Sequence, residues 1–119
     1  NAANDSGVYF NNGTTNAGAV IYDHPNNALK FRINANKTIE ANSDGDLLPG
    51  ADNTQDLGST TKRWANVYSG DVHLNNTGMG GNEVDGSEGH WTMQEGADDL
   101  FLINRITGKK YKFNLTEVS

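Results

Sequence analysis

Residues 28–34 read Ala-Leu-Lys-Phe-Arg-Ile-Asn. Leu29, Phe31 and Ile33 fall on one face of an extended chain, and Lys30, Arg32 and Asn34 on the other. This strict alternation is the signature of a half-buried β-strand, because successive side chains of a strand point to opposite sides. Upstream, Ala19 to Asp23 is a short apolar strand. The intervening His24-Pro25-Asn26-Asn27 has turn chemistry, so the two segments are expected to form a hairpin.

The C-terminal region repeats the pattern. Tyr111, Phe113 and Leu115 alternate with Lys110, Lys112 and Asn114. Before them, Leu100 to Ile103 is apolar on both faces, as in a fully buried strand. Thr107-Gly108 lies between, and a second hairpin is expected. No helical periodicity of comparable length competes, so the fold class is all-β, built of short strands and hairpins.

Turns punctuate the middle of the chain. Asp44-Gly45-Asp46, Pro49-Gly50 and Leu57-Gly58-Ser59 read as tight turns or loop ends. Ser59-Thr60-Thr61 has the residues to cap one helical turn, with a strand from about Ala65. Asp71 to Leu74 reads as a short strand with Val72 and Leu74 inward. Thr77 to Gly89 contains five glycines and reads as a flexible loop. The expected organisation is a β-module over 1–76, a glycine-rich linker over 77–90 and a β-hairpin module over 91–119.

Composition limits the function classes. Nine Lys and Arg stand against 15 Asp and Glu in 119 residues, a net charge of −6. That disfavours nucleic acid and anionic membrane surfaces, which require a cationic face. The basic stretch Arg105, Lys109, Lys110 and Lys112 surrounds Tyr111, whose alternation turns it away from the lysines, so it is a poor stacking site. There is no cysteine, hence neither a disulfide nor a thiolate zinc site. No apolar run reaches the length of a membrane-spanning helix. The chain starts at Asn1 without a signal-peptide pattern and reads as a fragment or processed piece. Seventeen Asn and 14 Gly accompany only 23 Leu, Ile, Val and Phe. Such a chain has many turns and little core of its own, which favours burial against neighbouring subunits.

Residues 47–68 read Leu-Leu-Pro-Gly-Ala-Asp-Asn-Thr-Gln-Asp-Leu-Gly-Ser-Thr-Thr-Lys-Arg-Trp-Ala-Asn-Val-Tyr. The succession Asp56-Leu57-Gly58-Ser59, Arg63-Trp64 and Val67-Tyr68 resembles a motif of bacteriophage tail fibres and related virion proteins, and Ser69 to Leu74 continues it. The runs Trp91 to Gly96, Asp99 to Asn104 and Gly108 to Phe113 are similar to the ends of structural proteins from marine phages of cyanobacteria and other ocean bacteria. Residues 19–34 resemble a repeat upstream in such fibres.

The resemblance implies an elongated, intertwined homotrimer in a virion appendage, with other virion proteins and a host-surface glycan as partners. It implies no enzyme and no cofactor, and the Ser-Lys motif of self-cleaving fibre chaperones has no counterpart here. Trp64, Val67, Tyr68, Val72 and Leu74 are then candidates for an inter-subunit core. The plainer alternative places them in a core within one subunit.

Other constellations offer less. Asn42, Asp44 and Asp46 alternate like a calcium loop, but Leu47 and Asn53 occupy the positions where an EF-hand needs Gly and Glu. An Asp-Gly turn is the simpler reading. Glu83, Asp85 and Glu88 form an acidic loop. Among His24, His73 and His90, His73 is the best candidate for a metal on a three-fold axis, although a lone His is usually structural. Asp98 and Asp99 are neighbours in sequence and point apart in a strand, so they do not form a catalytic pair. Carbohydrate binding is the main alternative function. Trp91 offers a platform, with Asn82, His90 and Gln94 as polar neighbours. Equally, Trp91 can anchor a small core. A capsid-borne fibre or decoration protein is a further alternative.

Overall fold

A computed structural model describes residues 5–13, 16–34 and 37–119. Among the described residues there are nine strands and no helix. In chain order they are β1 (Asp5–Asn11), β2 (Asn16–Asp23), β3 (Ala28–Asn34), β4 (Lys37–Ala41), β5 (Leu47–Pro49), β6 (Val72–Asn75), β7 (His90–Glu95), β8 (Leu100–Asn104) and β9 (Lys110–Lys112). Strands β1 to β5 form one sheet and β6 to β9 another, each an antiparallel meander in sequence order. The fold is all-β, as expected.

Both expected hairpins form. In the β2–β3 turn the Asn26 amide donates to Asp23 Oδ1 at 3.2 Å, and Asn27 takes a positive φ of 50°, a conformation Asn tolerates better than most residues. In the β8–β9 turn the Asn104 side-chain oxygen accepts the amides of Ile106 and Thr107, at 2.9 and 3.0 Å.

The chain divides into two compact units at Arg63/Trp64. The expected division at 77–90 is not where the structure breaks. Strand β6, assigned from sequence to the first module, pairs along its length with β7, from Val72 opposite Met93 to Asn75 opposite His90. Residues 77–89 are therefore a loop inside the second sheet. The helical turn after Ser59 and the strand from Ala65 do not form. Ser59 Oγ accepts the Lys62 amide at 3.0 Å, as a cap would, but no amphipathic stretch follows to repay the nucleation of a helix.

In the first unit the register separates two faces. Tyr9, Ala19, Arg32 and Thr38 form one cross-strand row, and Gly7, Ile21, Lys30, Glu40 and Leu48 the next. On this polar face lie Ala19, Ile21 and Ala28, the buried hydrophobic residues among those described. They are covered by their own neighbours. The Arg32 guanidinium lies 5.9 Å from the Tyr9 ring centroid, flanking Ala19 from both sides. Lys30 binds Asp23 at 2.6 Å and Glu40 at 3.5 Å, laying its stem across the sheet.

The opposite face carries Val8, Phe10, Val20, Tyr22, Leu29, Phe31, Ile33, Ile39 and Leu47. The alternation in β3 is thus as read, but its apolar side is not half-buried against a core. Seven of these side chains are 36–67% exposed.

In the second unit, Val72, Met93, Leu102 and Tyr111 make one row, and Leu74, Trp91 and Asn104 the next. Val72 and Leu74 share this apolar face, but in the single chain both are exposed rather than inward. Leu100 is also exposed, so β8 is half-buried rather than fully buried.

Candidate functional site

The glycine-rich stretch is built rather than slack. Asn76 receives the Gly89 amide on its side-chain oxygen at 2.6 Å, which pins the two ends of the loop together. Asn82 organises the interior. Its side-chain oxygen accepts the amides of Val84 and Asp85 at 2.8 and 3.1 Å, and its NH2 donates to Asp85 Oδ1 at 2.8 Å and the Ser87 carbonyl at 2.9 Å. Asp85 in turn accepts the Ser87 hydroxyl and amide, at 2.7 and 2.9 Å. These bonds, the Ser87 hydroxyl first, hold the Asp85 carboxyl down to about 2, so it is an anion fixed in place.

Gly81 is required by this geometry. Its φ is 87°, and a Cβ there would collide with the Gly86 carbonyl.

Between this loop and the apolar face of the second sheet lies an open depression of about 440 Å³, lined by Leu74, Asn75, Asn76, Asn82, Ser87, Glu88, Gly89 and Trp91. Trp91 packs against Tyr111, with ring centroids 5.6 Å apart. Its indole edge lies close to the Gly89 backbone.

The carbohydrate quartet read from sequence is split by the strand. Trp91 and Asn82 both line the depression. His90 and Gln94 lie an odd number of residues from Trp91 and face the other side of β7. Gln94 donates there to Asp71 at 2.9 Å. Asn82 reaches the depression, but its amide is committed to the loop. Asn76 and Glu88 line the depression as well, each also bonded within the loop, whereas Asn75 pairs opposite His90 and accepts the Thr77 amide and hydroxyl. Sequence reasoning missed them because their approach depends on the β6–β7 pairing, which joins segments far apart in the chain.

The back of the second sheet holds a polar cluster. Thr92 is fully buried, its hydroxyl accepting Arg105 Nε at 2.8 Å and bonding His73 Nδ1 at 3.0 Å. His73 Nε2 stands 4.0 Å from Asp71. His73 is therefore tied into its own sheet by one ring nitrogen. Among the described residues no group of three or more His, Asp or Glu side chains is arranged to hold a metal ion. In the calcium-like segment, Asn42 Oδ1 accepts the amides of Asp44 and Asp46, at 3.0 and 2.9 Å, so it builds the β4–β5 turn. Asp99 pairs with Lys112 at 3.5 Å.

The five interface candidates fall into two groups. Val72 and Leu74 belong to the apolar face of the second sheet. Trp64, Val67 and Tyr68 lie in an irregular segment and are 63%, 75% and 93% exposed. None of the three anchors a core within the chain. Comparison with protein-family models, curated proteins and solved structures finds no match to this chain.

Proposed function

We propose that this chain is a non-enzymatic structural protein that works as an assembly, a homotrimeric segment of a virion appendage such as a tail fibre, serving host attachment. The observation that carries the oligomeric part is the size of the core. Among the described hydrophobic residues only Ala19, Ile21 and Ala28 are buried, while Trp64, Tyr68, Phe10, Phe31 and Leu47 are exposed. Large contiguous apolar surface on a folded chain marks an association site. The virion assignment rests on the resemblance of residues 47–74 and of the C-terminal runs to phage fibre proteins. A capsid-borne fibre or decoration protein has the same build, and antibody labelling of particles would separate the two.

Light scattering coupled to size exclusion tests the reading. The expected mass is three times 12.8 kDa. A single-chain mass at every concentration would overturn it.

The depression beside Trp91 favours a second reading, a carbohydrate-binding module. An aromatic face next to amides and a carboxylate suits a sugar, which presents both C–H faces and hydroxyls. The check is Trp91 fluorescence titrated with oligosaccharides in a Trp64→Phe background. Saturable quenching lost in Trp91→Ala supports this reading, and no response across a broad sugar panel removes it.

A further inference from the structure

We propose that the apolar face of the first sheet is the surface through which copies of this chain associate, the three copies turning this same face towards one another around a common axis. The inference rests on the oligomeric reading above and adds to it the surface and the partner.

Two adjacent cross-strand rows span all five strands without a charge. One is Val8, Val20, Phe31, Ile39 and Pro49, and the other Ser6, Tyr22, Leu29, Ala41 and Leu47. Asp23, Lys30, Arg32 and Glu40 lie on the opposite face, where Asp23, Lys30 and Glu40 satisfy one another, and Lys37 at the start of β4 alternates onto the side of Ile39 but lies beyond the end of these two rows. That face is complete within one chain. The apolar face is not.

Area and charge together select a second copy as the occupant. Seven side chains on the face are 36–67% exposed. At about 150–250 Å² per large side chain they offer roughly 700 Å² per copy. Three copies closing on one another would bury about 2,100 Å² in all, within the range of a stable obligate assembly. Each copy carries a net charge of −6, so contacts between charged surfaces of two copies are repulsive on average. These uncharged rows let like meet like without desolvating or opposing a charge. Packed sheets stand about 10 Å apart, close enough for the Phe31 side chains of neighbouring copies to approach.

The absence of cysteine makes a clean test available. Single cysteines are introduced as Phe31→Cys, on the apolar face, and Arg32→Cys, on the polar face. Each is treated with a bis-maleimide spanning about the inter-sheet distance. Covalent dimers, the limit for one thiol per chain, are expected from the first and not the second. In parallel, Phe31→Asp should reduce the mass to that of one chain while far-ultraviolet dichroism keeps its β signal.

If the unmodified chain assembles, yet Phe31→Cys gives no cross-link and Phe31→Asp keeps its mass, the proposed surface is wrong and the oligomeric reading stands. If the unmodified chain is monomeric at every concentration, both fall. Binding of that monomer to lipid vesicles would then identify a different occupant. Should Phe31→Asp fail to fold, the cross-linking comparison still decides.

Discussion

Asp23 shows how much one side chain does on the polar face of the first sheet. It is nearly buried, and it accepts Lys30 Nζ at 2.6 Å and Asn26 Nδ2 at 2.8 Å. The Lys30 hydrogen bond, then those from Asn26, lower its pKa from 3.8 to about 2. A depressed carboxylate pKa means that the unfolded chain binds the proton more readily. The stabilisation is therefore full above the ordinary carboxylate range and is lost as pH falls towards 2. Thermal melts should show a falling Tm between about pH 4 and pH 2. Asp23→Asn should lower Tm at pH 6 and flatten that acid limb. A mutant whose acid limb matched the parent would show that Asp23 does not govern it. The Lys30 pKa is raised by the same hydrogen bond, so its contribution is complete below its ordinary value and fades only in alkali. Gly81 makes a different demand. With φ at 87° and the Gly86 backbone where a Cβ would sit, Gly81→Ala should destabilise the second unit by more than about 2 kcal/mol, measured by urea denaturation. At this scale the asparagine content was legible as turn chemistry in general. Asn42, Asn82 and Asn104 each fold a loop by accepting backbone amides. Which asparagine would do so was not legible, since the geometry depends on strands that bring the loop ends together.

At the scale of elements, alternation in residues 28–34 and 110–115 identified strands and sorted their faces, and turn residues located both hairpins, but the second strand ends at Lys112 rather than Leu115 and the apolar side of β3 is exposed rather than half-buried. Strands β1, β4 and β5 left weaker traces. Asp5–Asn11 mixes Gly and polar residues with Val8 and Phe10, and Leu47–Pro49 ends at a proline that reads as a turn. Proline is tolerated there because β5 is an edge strand of its sheet. The pairing of β6 with β7 was out of reach, because no local pattern specifies a contact across the intervening loop. Five glycines in that loop read as flexibility, whereas Gly78, Gly80, Gly81 and Gly86 sit at positive φ and serve as corners. The distinction is measurable. Amides of Asn82, Gly86, Ser87 and Gly89, all bonded within the loop, should exchange with deuterium more slowly than those of residues 63–70, which enter neither sheet. Uniformly fast exchange across 77–89 would restore the flexible-linker picture.

At the scale of the whole molecule, the balance between apolar faces and net charge decides how assembly responds to solution conditions. Each copy brings a charge of −6, and the two cross-strand rows of the proposed contact surface on the first sheet bring none. Copies therefore attract through burial of apolar area and repel through charges located elsewhere. Salt screens the repulsion and leaves the attraction intact, so the mass-average size should hold or rise between about 20 and 500 mM NaCl. An assembly held by ion pairs would do the opposite. Cooling should loosen it, since apolar association weakens at low temperature. Trp64 gives the same logic a local handle. Because its side chain is 63% exposed in the single chain, Trp64→Ala should leave the β signal of the monomer intact, and any loss should appear in the mass of the assembly. A Trp64→Ala chain with unchanged mass and Tm would place residue 64 outside the interface and leave the sheet face to account for association. A chain that dissociated with rising salt would count against the sheet face as well, because an uncharged contact gives salt nothing to screen.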